Sequence, residues 1–150
     1  MSTNTDIAKL DDLIVTTIDS VKGYDHSAEK ADGGRYSELF LGLARDRRQV
    51  VSSLQAYSRT LGGTPSDFGS AAATLHRRFE DLRLVLGGGD EVIVKEIERG
   101  EDYLAEEYER ALRDDAVSAE TRAIIERCYA TVKAGRDDIA RLKLQLADVV

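Results

Sequence analysis

Two charged residues interrupt apolar periodicities and are the clearest candidates for interior chemistry. Arg47 stands in the run Tyr36, Phe40, Leu43, Arg47, Val50, Leu54, Tyr57 and Leu61, and Glu101 in the run Val94, Ile97, Glu101, Leu104, Tyr108 and Ala111. Spacings of three and four put each run on one face of a helix, so both charges share a face with apolar neighbours. An unpaired charge inside a helical bundle costs several kcal/mol, so each needs a partner. The expectation is that Arg47 and Glu101 meet in a buried salt bridge. The alternative is that either long side chain reaches the surface from the edge of its stripe.

Carboxylates in a bundle also raise the question of metal. Di-iron and di-manganese sites of that architecture take a Glu from each of two helices and a Glu-x-x-His from each of the other two, because residues three apart share a helical face. The residues three before His26 and His76 are Gly23 and Ala73, so neither histidine completes the motif. A carboxylate-only iron or manganese site built from Glu29, Glu101 and Glu126 is the alternative to having no cofactor. Glu101 lies in a core stripe, whereas Glu29 and Glu126 lie one residue from theirs and read as solvated.

The remaining polar candidates read as structural. Tyr24, Tyr57 and Tyr108 sit on stripes, as core phenols that need hydrogen-bond partners. His76 flanks the stripe Ala72, Leu75, Phe79, Leu82 and Leu86 beside Arg77 and Arg78, with no nucleophile adjacent in sequence. Cys128 has stripe spacing and reads as a small buried hydrophobe rather than a reactive thiol. Gly87-Gly88-Gly89-Asp90 lacks the Lys and Ser/Thr of a phosphate-cradling loop and follows a helical pattern, not a strand. No catalytic constellation emerges.

The elements that would position these residues are helices. Ile7, Leu10, Ile14, Thr17, Val21, Tyr24, Ala28 and Ala31 predict a helix over about 4–31, stopped at Asp32-Gly33-Gly34. The Arg47 stripe predicts a second over 35–61, ending at Gly62-Gly63-Thr64-Pro65, and the short link between the two makes an antiparallel hairpin. Ser66 or Asp67 would cap a shorter helix over 66–86; the Glu101 stripe gives 90–114; Ile125, Cys128, Val132, Gly135, Ile139, Leu142, Leu146 and Val149 give 118–148. Ser118 and Thr121 supply only half of a capping box, since the third helical position lacks Glu or Gln. Two long hairpins joined by a shorter segment predict one all-α domain over 1–150, a ferritin-like four-helix bundle with the 66–86 helix as the crossover between the second and third bundle helices. A plain five-helix array is the alternative.

Composition agrees with that reading. A chain of 150 residues with one Pro and no Trp, 42% apolar and 33% charged, is single-domain material suited to long helices. The net charge of −7 has the wrong sign for a nucleic-acid binder. All of it arises in residues 88–115, where eleven acids face Lys95, Arg99, Arg110 and Arg113. An acidic helix over 90–114 could attract a basic protein partner, or simply keep the protein solvated. One cysteine forbids an internal disulfide, and the first 15 residues lack a signal peptide's basic start and apolar run, so a cytoplasmic protein away from membranes is expected. Leu13, Ile18, Ile124 and Tyr129 flank their stripes, where they could support self-association through helix faces or widen the core.

Three segments carry a family resemblance: Gly23-Tyr24-Asp25 with Ala28-Glu29, Leu75-His76-Arg77, and Glu98-Arg99-Gly100-Glu101-Asp102. Together they resemble the PA2169 family of bacterial four-helix-bundle proteins, the ferritin-like domain also called DUF2383, over about residues 5–146. The resemblance implies a ferritin-like bundle in a bacterial protein and brings no activity with it. The expected function is a non-enzymatic structural or interaction protein with a degenerate di-metal site. The second reading is a carboxylate-rich iron- or manganese-binding oxidase, and the third an interaction module using the acidic helix.

Overall fold

Apolar stripes on long helices have to be buried against one another, and the fold follows from how four of them pair. A computed structural model of the chain describes residues 3–30, 36–70 and 90–148. Among the described residues the regular elements are helices: α1 (Thr3–Lys30), α2 (Ser37–Thr60), α3 (Asp90–Leu112) and α4 (Ala119–Asp148). At 1.5 Å per residue they are about 35 to 45 Å long.

α1 packs along α2 and α3 along α4, while lighter contacts join α1 to α3 and α2 to α4. The diagonals of the bundle are therefore α1 with α4 and α2 with α3. Tyr24 meets Glu101, Thr17 meets Tyr108, and Asp6 meets Ser118 just before α4. As the α1 number falls the partner's rises, so α3 runs antiparallel to α1.

Two apolar layers fill the interior. One holds Leu10, Leu13, Ile14, Val50, Leu54, Leu104, Tyr108 and Ile125; the other holds Tyr24, Phe40, Leu43, Val94, Ile139 and Leu142. Arg47 and Glu101 lie between them. Leu13 and Ile18 belong to the first layer, and Ile124 and Tyr129 pack against it. All four flanking residues widen the core.

Helix ends show why the chain turns where it does. After α2, Gly62 takes φ +93°, a left-handed conformation that costs a residue without Cβ little. Its N–H bonds to Arg59 O and the Gly63 N–H to Ser58 O, both at 2.9 Å, closing the double hydrogen bond of a Schellman stop. A Cβ on Gly63 would lie 2.5 Å from Ser58 Oγ and 2.9 Å from Ile7 Cγ2, so this second glycine is set by close packing on α1.

The helix expected from Ser66 does not begin there. Residues 66–70 are non-helical and are tied to α1 at two points. The Ser66 N–H and hydroxyl both donate to the Asp11 carboxylate at 2.8 Å, and the Ser70 N–H and hydroxyl donate to Asp19 at 2.9 and 2.6 Å. The rest of the expected helix, to residue 86, lies outside the described residues, as does His76. No helix among the described residues is long and apolar enough to cross a membrane.

Candidate functional site: a charge pair across the bundle

Arg47 comes from the middle of α2 and Glu101 from the middle of α3, on opposite corners, and both are buried, at 0% and 2% exposure. The guanidinium meets the carboxylate fork to fork: Nη1 donates to Oε1 at 2.8 Å and Nη2 to Oε2 at 2.6 Å. The other two Nη protons go to Ser20 Oγ on α1, at 2.6 Å, and to the Val132 carbonyl on α4, at 3.2 Å. Tyr24 of α1 donates its phenolic proton to Glu101 Oε1, and the Arg47 Cζ stands 5.5 Å from the centroid of the Tyr24 ring. All four helices thus contribute to one polar layer.

α4 makes room for this layer with Gly135. A Cβ there would lie 2.6 Å from Arg47 Nη2 and 3.1 Å from Leu43 Cδ2. Glycine inside a helix is unfavourable by roughly 1 kcal/mol relative to alanine. It is accommodated here because the guanidinium occupies the space a methyl would need.

The electrostatics are those of a neutral, closed unit. Burial would lower the Arg47 pKa, but the hydrogen bonds and negative charge of Glu101 outweigh it and hold the guanidinium above its ordinary value. Burial, then the Glu101 charge, push the Tyr24 phenol well above its usual range, so Tyr24 stays a hydrogen-bond donor. A bidentate pair of this kind is satisfied in one orientation, which ties the level of α2 to that of α3.

Two further polar contacts line the interior. Thr17 gives its hydroxyl proton to the Leu13 carbonyl at 2.6 Å and lies 2.8 Å from Tyr108 Oη. Since Thr17 has one proton, Tyr108 is the donor between them. Burial raises the Tyr108 pKa. At the end of the bundle Asp6 accepts the Ser118 N–H at 3.0 Å, the Ser118 hydroxyl at 2.6 Å and the Thr121 hydroxyl at 2.9 Å. Ser118 Oγ in turn accepts the Thr121 N–H at 3.3 Å, and Tyr57 Oη stands 3.3 Å from Thr121 Oγ1. Asp6 therefore supplies from α1 the acceptor that a capping box would draw from its own third position. Burial would raise the Asp6 pKa, yet the bonds from Ser118 and Thr121 prevail and hold it below the ordinary carboxylate value.

The other candidates fall elsewhere. Glu29 on α1 and Glu126 on α4 are exposed, so the three carboxylates of the iron or manganese alternative do not converge. No group of three His, Cys, Asp or Glu able to hold a metal ion occurs among the described residues. Cys128 is buried, and burial pushes its thiol up to about 11, which keeps it protonated and unreactive at neutral pH.

The acidic run on α3 also looks different in three dimensions. Asp102 pairs with Arg136 and Glu98 with Lys143, both on α4; Glu96 pairs with Arg99, Glu107 with Arg110, and Asp114 with Lys9. Much of the local excess is balanced by bases that are distant in sequence.

Sequence reasoning had no place for Ser20, which carried no stripe signal, or for Asp6. Thr17 did carry one, as the lone hydroxyl in the α1 stripe.

No curated protein matches the chain. A family model, described as a domain of unknown function, DUF2383, matches residues 5–114, which takes in α1 from its first turn, α2 and α3 with both members of the charge pair. The chain belongs to the DUF2383 family.

Proposed function

We propose that this protein is a ferritin-like bundle in which an ion pair stands at the level where a di-metal site would lie, and that it acts as a non-enzymatic structural or interaction protein. The observation that carries the reading is the bidentate Arg47–Glu101 contact between diagonal helices. A cation at that level would have to displace a guanidinium whose four Nη protons are all bonded, and would meet its positive charge. The crossover connectivity is supported by the positions of the helix ends. α2 finishes where Tyr57 approaches Thr121, while Ile93 and Val94 near the start of α3 pack with Ala28 and Phe40 at the other end.

Metal analysis of protein purified without chelators, followed by titration with ferrous iron, tests the proposal. Substoichiometric metal is expected. Iron or manganese at one or more equivalents, lost in Glu101→Ala, would overturn it in favour of the carboxylate oxidase reading.

Self-association through helix faces stays a proposal, now supported by the exposed Leu41 on α2 and Leu144 on α4, at 44% and 67% exposure. A monomeric mass by light scattering would remove it. A basic partner for α3 would use acids without an ionic partner among the described residues, such as the exposed Glu106. Binding that does not weaken with salt would count against that. We place the protein in a bacterial cytoplasm, where a lone reduced thiol such as Cys128 is ordinary.

A further inference from the structure

We propose that the cavity between α1 and α3 binds a small organic ammonium ion with an apolar body. The cavity measures about 830 Å³, inside the range of about 300–1,000 Å³ found for small-molecule sites. Its floor includes the buried Tyr24 and Glu101, and Ile97 and Leu104 contribute apolar wall. Space is open on the α3 side, since a Cβ built on Gly100 meets no atom within 4 Å.

Charge selects the ligand class. Arg47 neutralises Glu101 on the floor. At the mouth, Arg99 and Arg110 balance Glu96 and Glu107. Asp12 has no ionic partner among the described residues, and the Asp19 carboxylate is bonded only to the uncharged N–H and hydroxyl of Ser70. Among the described residues, two negative charges therefore remain without an ionic partner around a cavity whose other charges are paired, which favours a cation over an anion. The ring of Tyr103, 57% exposed at the same mouth, offers a face that favours a cation further.

The proposal does not depend on the metal-free reading, because neither Asp12 nor Gly100 belongs to the ion-pair layer. It is tested on the full chain with 2-phenylethylamine as the cationic probe and 3-phenylpropanoate as its anionic counterpart, followed by amide NMR shifts and the thermal midpoint. The amine is expected to give saturable shifts at Ser20, Gly100 and Tyr103 and to raise the midpoint, and the carboxylate to do neither. Gly100→Leu fills the open space at an exposed helical position and should abolish the response with its helical circular dichroism intact, whereas Gly100→Ala should keep it. Asp12→Asn should weaken amine binding about fivefold at low salt, as expected for one lost charge near the ligand. No saturable shift, an equal response to the carboxylate, or an undiminished response in Gly100→Leu would overturn the proposal.

Discussion

Replacing Glu101 with leucine should be among the most damaging single changes in this protein. The substitution keeps similar volume and removes the acceptor of three hydrogen bonds, two from Arg47 and one from Tyr24. Arg47 is then left with no exposure and, among the described residues, no counter-charge, only the Ser20 hydroxyl, the Val132 carbonyl and the face of Tyr24. Breaking a buried pair in this way costs about 3–5 kcal/mol. For a chain of this length that lowers the melting temperature by about 6–20 °C. The same physics predicts recovery when the charge is removed as well. In Arg47→Met/Glu101→Leu the uncompensated charge is gone, but the Tyr24 hydroxyl remains a buried donor without an acceptor, at about 1–3 kcal/mol. Adding Tyr24→Phe removes that penalty, so the triple variant should lie near the wild type or above it. Urea unfolding followed at 222 nm measures all four proteins, with equal m-values required for the comparison. A loss below about 1 kcal/mol in Glu101→Leu, or a triple variant no better than the single, would refute the claim that desolvated charge governs this layer.

Three further predictions concern the residues around that layer. Gly135→Ala should destabilise the wild type, because its methyl would sit 2.6 Å from Arg47 Nη2, and cost clearly less in the triple variant, where the 3.1 Å approach to Leu43 Cδ2 remains but helix propensity favours alanine by roughly 1 kcal/mol; an equal cost in both backgrounds would show that the guanidinium is not what excludes a side chain. Thr17→Val should cost more than Tyr108→Phe, about 1–3 against about 0.5–1.5 kcal/mol, since the first strands a buried phenol proton while the second leaves Thr17 still bonded to Leu13; chemical denaturation of the pair checks the order. Asp6 has a folded-state pKa below its unfolded value, so its contribution is fully present above about pH 4, the unfolded carboxylate value, and disappears as pH falls through the folded one. The stability difference between wild type and Asp6→Asn should accordingly be largest at neutral pH and shrink on acidification, which unfolding curves from pH 7 down to pH 2 would reveal.

Helices and their interior faces were legible in the chain itself. Spacings of three and four marked four of the stripes, and the observed bounds fall within two residues of the expected ones. The same periodicity singled out Arg47 and Glu101, because a charge in a core stripe must be answered by something. The Gly62-Gly63 stop was equally readable, since its φ of +93° and its contact with Ile7 both call for glycine. At Ser66 the local signal misled: serine followed by aspartate reads as a helix start, but residues 66–70 are non-helical, and Ser66 is bonded to Asp11 on α1, a contact that no local pattern announces.

Sequence alone therefore determined which residues turn inward, since helical periodicity is a property of neighbours along one strand of chain. Tertiary structure decided which inward faces meet and at what level. That Arg47 reaches Glu101 across the diagonal, with Ser20, Tyr24 and Val132 around it, depends on the register between helices. So do the completion of the α4 cap by Asp6 and the neutralisation of α3 acids by Arg136 and Lys143. Register is fixed by packing and by the directional fit of these polar groups, and residues that meet in this way are separated by up to 115 positions, beyond the reach of any local pattern.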